Sequence, residues 1–180
     1  MGLFNFSQKK KSTPIKDMIW ISQLAKQNGC LNLIKEQPDF VVAAWFSDTE
    51  ELFNQFLNEQ NGLRVEIQQA KSMHSSQVAE KNLIFLEHYP LREKEEEVIA
   101  NLNPKRVYVL SSLDEPLFNQ FGGGKLVDLM KNLGLKEDEM IEHPMISKSI
   151  EKAQHKLAQT VTFENSASSA KEWFERNVSK

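Results

Sequence analysis

The chain has 180 residues and a formal net charge of −3, with 40% hydrophobic and 26% charged residues. That length suits one domain, or one with an appendage, and the apolar share excludes a disordered acidic polymer. The slight acidity argues against nucleic-acid binding, which calls for a surplus of Lys and Arg; the four arginines are Arg64, Arg92, Arg106 and Arg176.

Cys30 is the only cysteine, so no intramolecular disulfide forms, which fits a reducing compartment. No apolar run approaches the roughly 20 residues that cross a bilayer. The expectation is a cytoplasmic protein. Leu3, Phe4 and Phe6 precede Lys9, Lys10 and Lys11. The apolar part is too short for a signal peptide and its basic residues stand on the wrong side. Phe6 stands where a myristoylation signal needs Ser or Thr. Residues 1–13 read as a flexible basic tail. The rival reading has residues 3–11 touch a membrane surface through aromatic wedges and the basic cluster.

Pro14 opens a segment in which Ile15, Met18, Ile19, Ile21 and Leu24 fall on helical spacing, stopped by Asn28-Gly29. Leu31, Leu33 and Ile34 predict a second short helix that ends before Pro38. Phe40 to Phe46 is a continuous apolar run, the pattern of a strand covered on both faces. Ser47-Asp48-Thr49 predicts a helix cap, with Leu52, Phe53, Phe56 and Leu57 as the stripe behind it and Asn61-Gly62 as its end. Residues 63–69 alternate like a strand nearer an edge, 71–81 read as a loop or short helix, and 82–86 as a buried strand. Residues 92–102 read as a helix and 106–110 as a fourth strand. Four strands with intervening helices predict an α/β fold with a small, mostly parallel, doubly wound sheet over 14–112.

After Ser111 the pattern turns helical over 114–121, 125–133, 137–141 and 147–159, with breaks at Gly122-Gly123-Gly124 and Gly134 and a turn at Pro144. The predicted organisation is a helical extension at 113–160 and, at 161–180, a Ser/Ala-rich linker with a short terminal helix.

The search for chemistry yields few candidates. Gly122 to Lys125 lacks the first Gly and the final Ser or Thr of a phosphate loop, and it follows a helical stretch rather than a strand; it reads as a helix break. The histidines His74, His88, His143 and His155 have no metal-ligand spacing, so no metal and no cofactor are expected. Glu87 and His88 close a buried strand, where open α/β sheets bind ligands, and a carboxylate beside an imidazole can do acid–base work. The bland reading is a polar strand exit before Tyr89-Pro90, and it is the one favoured. Ser111 and Ser112 lack the frame of a nucleophile elbow. Asp114 reads as a helix cap and Arg92 to Glu97 as a solvated helix start. Of Trp20, Trp45 and Trp173, two are expected in the core and one, Trp173, on the surface. Glu87, His88, Lys125 and Trp173 are the candidates for a ligand or partner surface, and no residue is a catalytic candidate.

Residues 110–157 carry a resemblance. Leu110-Ser-Ser-Leu-Asp-Glu-Pro-Leu-Phe118, Phe121-Gly122, Leu129-Met130, Leu133-Gly134-Leu135, Ile141-Glu142-His143-Pro144 and Ala153-Gln154 followed by Lys156 occur in order at close spacing. This run resembles the junction between the second, RecA-like motor domain and the helical scaffold of the bacterial SecA preprotein translocase ATPase. Val41 to Glu51 resembles, more faintly, the start of that motor domain. The resemblance also exposes a loss. Where the family carries a glycine- and arginine-rich segment that reaches nucleotide phosphates, this chain has the acidic Arg92 to Glu97. Its Gly-Arg-Gly-Thr-Asp-like segment is missing too, and 180 residues leave no room for a first motor domain with Walker motifs. Such arginines are worth about a thousandfold or more in rate. The resemblance therefore implies a degenerate, truncated motor domain that does not hydrolyse ATP and serves protein export as a non-catalytic interaction or accessory module. It makes Glu142, His143, Pro144, Gly122 and Gly134 a structural turn and its flanking breaks. The expected partner is a protein, with a homo-oligomer through the C-terminal helices as a variant. The alternatives are a nucleotide-binding half-site completed by another subunit and a peripheral membrane adaptor.

Overall fold

The computed structural model describes residues 13–36, 39–60, 65–132 and 134–178. The apolar runs near 40, 82 and 106 become the three inner strands of a five-stranded, all-parallel sheet. In chain order the strands are β1 (Ile15–Trp20), β2 (Phe40–Ala44), β3 (Ile67–Gln69), β4 (Asn82–Phe85) and β5 (Arg106–Ser112); in space they run β1-β5-β4-β2-β3. The helices are α1 (Gln23–Glu36), α2 (Ser47–Asn58), α3 (Ser75–Val78), α4 (Arg92–Leu102), α5 (Gly123–Asn132), α6 (Pro144–Thr160) and α7 (Ala170–Asn177). This is a doubly wound α/β sheet, consistent with a RecA-like fold, followed by C-terminal helices.

Alternate side chains of each strand feed opposite faces. Val42, Ala44, Ile84, Leu86 and Leu110 pack with residues of α1 and α2. Val41, Ala43, Leu83, Phe85, Val107 and Val109 pack with residues of α3, α4 and α7. Burial of both faces explains why the inner strands are apolar throughout. A third cluster joins Ile19 and Ile21, at the end of β1, to Leu117, Phe118 and the Ile146, Ile150, Ala153 and Leu157 stripe of α6. The helical extension thus shares a core with the edge of the sheet.

Several expectations are corrected here. The segment after Pro14 is strand β1, paired in parallel with β5 from Ile15↔Val107 to Trp20↔Ser112. Its apolar residues fit both periods, and Leu24, which completed the helical stripe, is exposed. Asn28-Gly29 does not stop a helix, because α1 runs through both. A Cβ on Gly29 would lie 2.2 Å from the Trp20 ring; the glycine lets the indole lie against the helix backbone. Residues 137–141 are not helical. Instead Ile141 pairs with Ile19 in an antiparallel bridge along the free edge of β1. Residues 114–121 form turns and a single 3-10 turn at Phe118–Phe121. Residues 1–12 and Asn61-Gly62 lie outside the described residues.

Candidate functional site

The chain leaves β2 toward β3 and leaves β4 toward β5, in opposite directions across the sheet. The crevice between the carboxyl ends of β2 and β4 is therefore the switch point at which open α/β sheets take ligands. Here it is filled by Glu87. Its Oε1 accepts the Trp45 N–H at 2.9 Å and the Phe46 N–H at 3.2 Å, and the Thr49 hydroxyl donates to Oε2. These donors precede and open α2, where an anion would be held by amide groups and the helix dipole. The expected cap is replaced accordingly: Phe46 is the cap residue with no side-chain cap bond, and the Asp48 N–H goes to the Ser168 carbonyl at 3.0 Å. Burial pushes the Glu87 carboxyl up to about 7, against the pull of Lys26 and its hydrogen-bond donors.

Lys26 of α1 seals the neighbouring position. Its buried ammonium donates to the Leu86 carbonyl at 2.8 Å and pairs with Glu115 at 2.6 Å, and it lies 5.3 Å from the Phe53 ring centre. Glu115 in turn accepts the Ser112 N–H at 3.0 Å. Asp114 caps α1 rather than its own turn, accepting from the Gln23 N–H at 3.3 Å. The space left among these groups is about 180 Å³, small for a ligand site.

His88 points the other way into a second network. Glu95 Oε1 lies 2.9 Å from Nδ1 and Asp17 Oδ1 lies 3.1 Å from Nε2. Burial works against the imidazolium, but Glu95 and Asp17 outweigh it and push the ring up to about 10. The Asp17 carboxyl is likewise penalised by burial, yet its pairing with His88 holds it below the usual carboxylate range. Arg92 pairs with Glu95 at 3.6 Å and with Glu96 at 2.8 Å. From α6, Gln154 Nε2 donates to the Tyr89 carbonyl at 2.7 Å and to Glu95 Oε2 at 3.1 Å. A buried ion cluster holds only when its charges are balanced, and here the Asp17–His88 contact is an ion pair without hydrogen-bond alignment while Gln154 Oε1 has no partner among the described residues. This one ties β1, β4, α4 and α6 together.

The predicted residues therefore separate. Glu87 and His88 are adjacent in sequence but serve different networks, and both are buried rather than parts of a surface. Trp173 is 1% exposed and belongs to the core, not to the surface; its Nε1–H donates to Glu164 at 2.7 Å. The run from Arg92 to Glu97 is not wholly solvated, since Glu95 is fully buried. Lys125 is exposed on α5, after Gly122 in the left-handed conformation at φ 88°. Glu142 is exposed and pairs with Lys16 at 3.0 Å. His143 caps α6 in place of Ser147, its Nδ1 accepting from the Met145 N–H at 3.2 Å, and Pro144 fills the first helical position. The buried polar link between extension and sheet is Gln154. Asp17, Lys26, Glu95, Glu115 and Gln154 escaped the sequence reading. Asp17 alone left a signal, a charge in the alternation Ile15, Asp17, Ile19.

On the helical extension lies an open, apolar groove of about 560 Å³ lined by Phe121, Leu126, Met130, Met140, Ile141 and Met145 among others. Met145, in the first turn of α6, is 71% exposed and Met140 36%. Among the described residues no group of His, Cys, Asp or Glu is placed to hold a metal ion, and no helix is long and apolar enough to cross a membrane.

No family model matches the chain. A stretch of 46 residues, 26% of this chain, is 56% identical to the protein translocase subunit SecA of Acidithiobacillus ferrooxidans. The same subunit is 54% identical over 46 residues in Psychrobacter cryohalolentis and 52% in Ehrlichia canis. The chain carries a SecA-like region. The match spans 5% of the relatives' own length.

Proposed function

We propose that this protein is a non-catalytic accessory module of protein translocation, a degenerate second motor domain of the SecA type that meets a protein partner through its helical extension. The observation that carries this reading is the Glu87 carboxylate in the switch-point crevice, where it takes the Trp45 and Phe46 amides. A nucleotide phosphate would have to displace a buried carboxylate from donors it already satisfies. The acidic stretch at 92–97, in place of an arginine-rich one, supports the same reading. For the partner surface, the support is the open groove between α5 and α6, whose exposed Met140 and Met145 have no role in the core.

Two measurements test the proposal. Calorimetric titration with ATP and a steady-state hydrolysis assay should show neither micromolar binding nor turnover; turnover lost on Lys125→Ala would overturn the non-catalytic half. A photo-crosslinking residue at Met140, used in the native host, should form adducts with a component of the protein translocase, and Met145→Glu should suppress them. Adducts confined to proteins outside that machinery would overturn the translocation half.

A further inference from the structure

The rim of the groove between α5 and α6 is charged oppositely at its two ends. From α6 the groove is lined by Met145 and Ser149, and from the loop before that helix by Leu135, Met140 and Glu142. Met145, Ser149, Lys152 and Lys156 follow one another at spacings of four, three and four residues, so they share one stripe of α6. Lys152 and Lys156 are exposed. Glu151, on a neighbouring face, lies 3.7 Å from His155 instead. The stripe thus passes from apolar, beside the groove, to basic over about 17 Å.

The other end is acidic. Glu137, Asp138 and Glu139 are exposed between the lining residues Leu135 and Met140, and Glu142 stays half-exposed beside Lys16. Lys136 is the only Lys or Arg from Leu135 to Glu142. An occupant therefore has to cover apolar side chains in the middle, cations along the C-terminal half of α6 and carboxylates at its start. A helix does so with its own backbone groups satisfied. Laid antiparallel to α6, it carries acids at its N-terminal end and bases at its C-terminal end, the distribution its own dipole favours. Met130, Met140 and Met145 line the middle, and unbranched thioethers repack readily around a partner's side chains.

Resting on the reading of this groove as the partner surface, we propose that its occupant is an amphipathic helix of the partner, antiparallel to α6. Its apolar stripe covers the methionines, acidic residues near its N-terminal end meet Lys152 and Lys156, and basic residues near its C-terminal end meet Glu142 and the loop at 137–139.

The test titrates the full chain with three fluorescein-labelled, hydrocarbon-stapled helical peptides of about 16 residues. All share one leucine stripe. The first has Glu in its first turn and Lys in its last, the second Lys in both and the third Glu in both. Anisotropy should show the first binding about fivefold more tightly than either other, the weight of one or two exposed ion pairs. On Lys152→Glu/Lys156→Glu the all-lysine peptide should become the tightest, and Met145→Glu should weaken all three at least about tenfold. A nitroxide at the N-terminus of the first peptide should broaden the amide resonances of Lys152 and Lys156 in the ¹⁵N-labelled chain. Equal affinities, no saturable binding, or broadening at 137–142 instead would overturn the proposal. So would a chain that sediments as a dimer, and as a monomer with Met145→Glu, since a second copy would then fill the groove. Failure here with translocase adducts at Met140 intact strikes the helix and its direction alone; the reverse outcome strikes the translocation reading alone.

Discussion

The carboxyl edge of the sheet and the groove of the helical extension are built on opposite terms. At the sheet edge, where the fold would place a ligand, the space is filled from inside: Glu87 takes the amides ahead of α2, Lys26 pairs with Glu115, and His88 sits between Asp17 and Glu95. In the groove, apolar side chains stand open to solvent, with Met145 71% exposed. Charge has been withdrawn into the protein at one place and hydrophobic surface left outside at the other. A fold's usual binding position is thus a poor guide here, because its polar groups have been turned into structural ties.

The sharpest way to break this comparison is to make the same kind of change in each region. Glu95→Ala should cost about 3–5 kcal/mol, because it removes a buried charge partner from the His88 imidazolium, leaving it Asp17 alone, and takes the acceptor from Gln154 and the Tyr89 N–H. Glu142→Ala removes a half-exposed pair with Lys16 and should cost about 0–1 kcal/mol. Denaturant titration of both variants measures the gap, and equal costs would show that the sheet-edge network is not what ties the structure together.

Next in size is a pH effect with a definite sign. The folded His88 ring is pushed from its ordinary 6.5 up to about 10, so the folded state holds a proton that the unfolded chain releases. Its contribution is full below pH 6.5 and is lost as pH rises through about 10. Glu87, raised from 4.5 to about 7, acts in the same direction over that lower window. Asp17 acts oppositely, its contribution present above 3.8 and lost as pH falls. The midpoint of thermal unfolding should therefore decline steadily from pH 6.5 toward 10. A flat or rising profile over that range would mean that His88 is neutral in the folded protein.

Much of the fold was legible because burial on two faces leaves an unambiguous mark: the runs containing Val42, Ile84 and Val109 are inner strands with these residues at most 1% exposed. β1 was misread because an edge strand packed at one end carries too few apolar residues to fix a period. Gly29 was misread because glycine marks both a helix end and a close approach, and only the Trp20 ring distinguishes them. The site was less legible still. Lys26 meets Glu115 across 89 residues of sequence, and Gln154 meets Glu95 across 59; no local pattern announces such pairs. Gly29→Ala tests this reading of α1 directly. A Cβ 2.2 Å from the buried indole should cost about 1–3 kcal/mol through overpacking, despite alanine's better helix propensity, and Trp20→Leu should relieve part of that cost.

The smallest effect on stability belongs to the groove, and there it carries the most information about function. Met145 lies in the first turn of α6 with its side chain largely in solvent, so Met145→Glu removes little buried area. The new carboxylate also stands near the positive end of the helix, where an acid is favourable by a few tenths of a kcal/mol. Stability should stay within about 0.5 kcal/mol of the parent, a shift of about 1–2 °C in the unfolding midpoint for a chain of this size. A partner helix seated in the groove would instead have to bury a charge against Met130, Met140 and Ile141, a cost several times larger. Adducts from a crosslinker at Met140 should then vanish in a protein that unfolds normally. Adducts that persist undiminished would place the partner elsewhere on the surface and leave the open apolar groove without the role assigned to it.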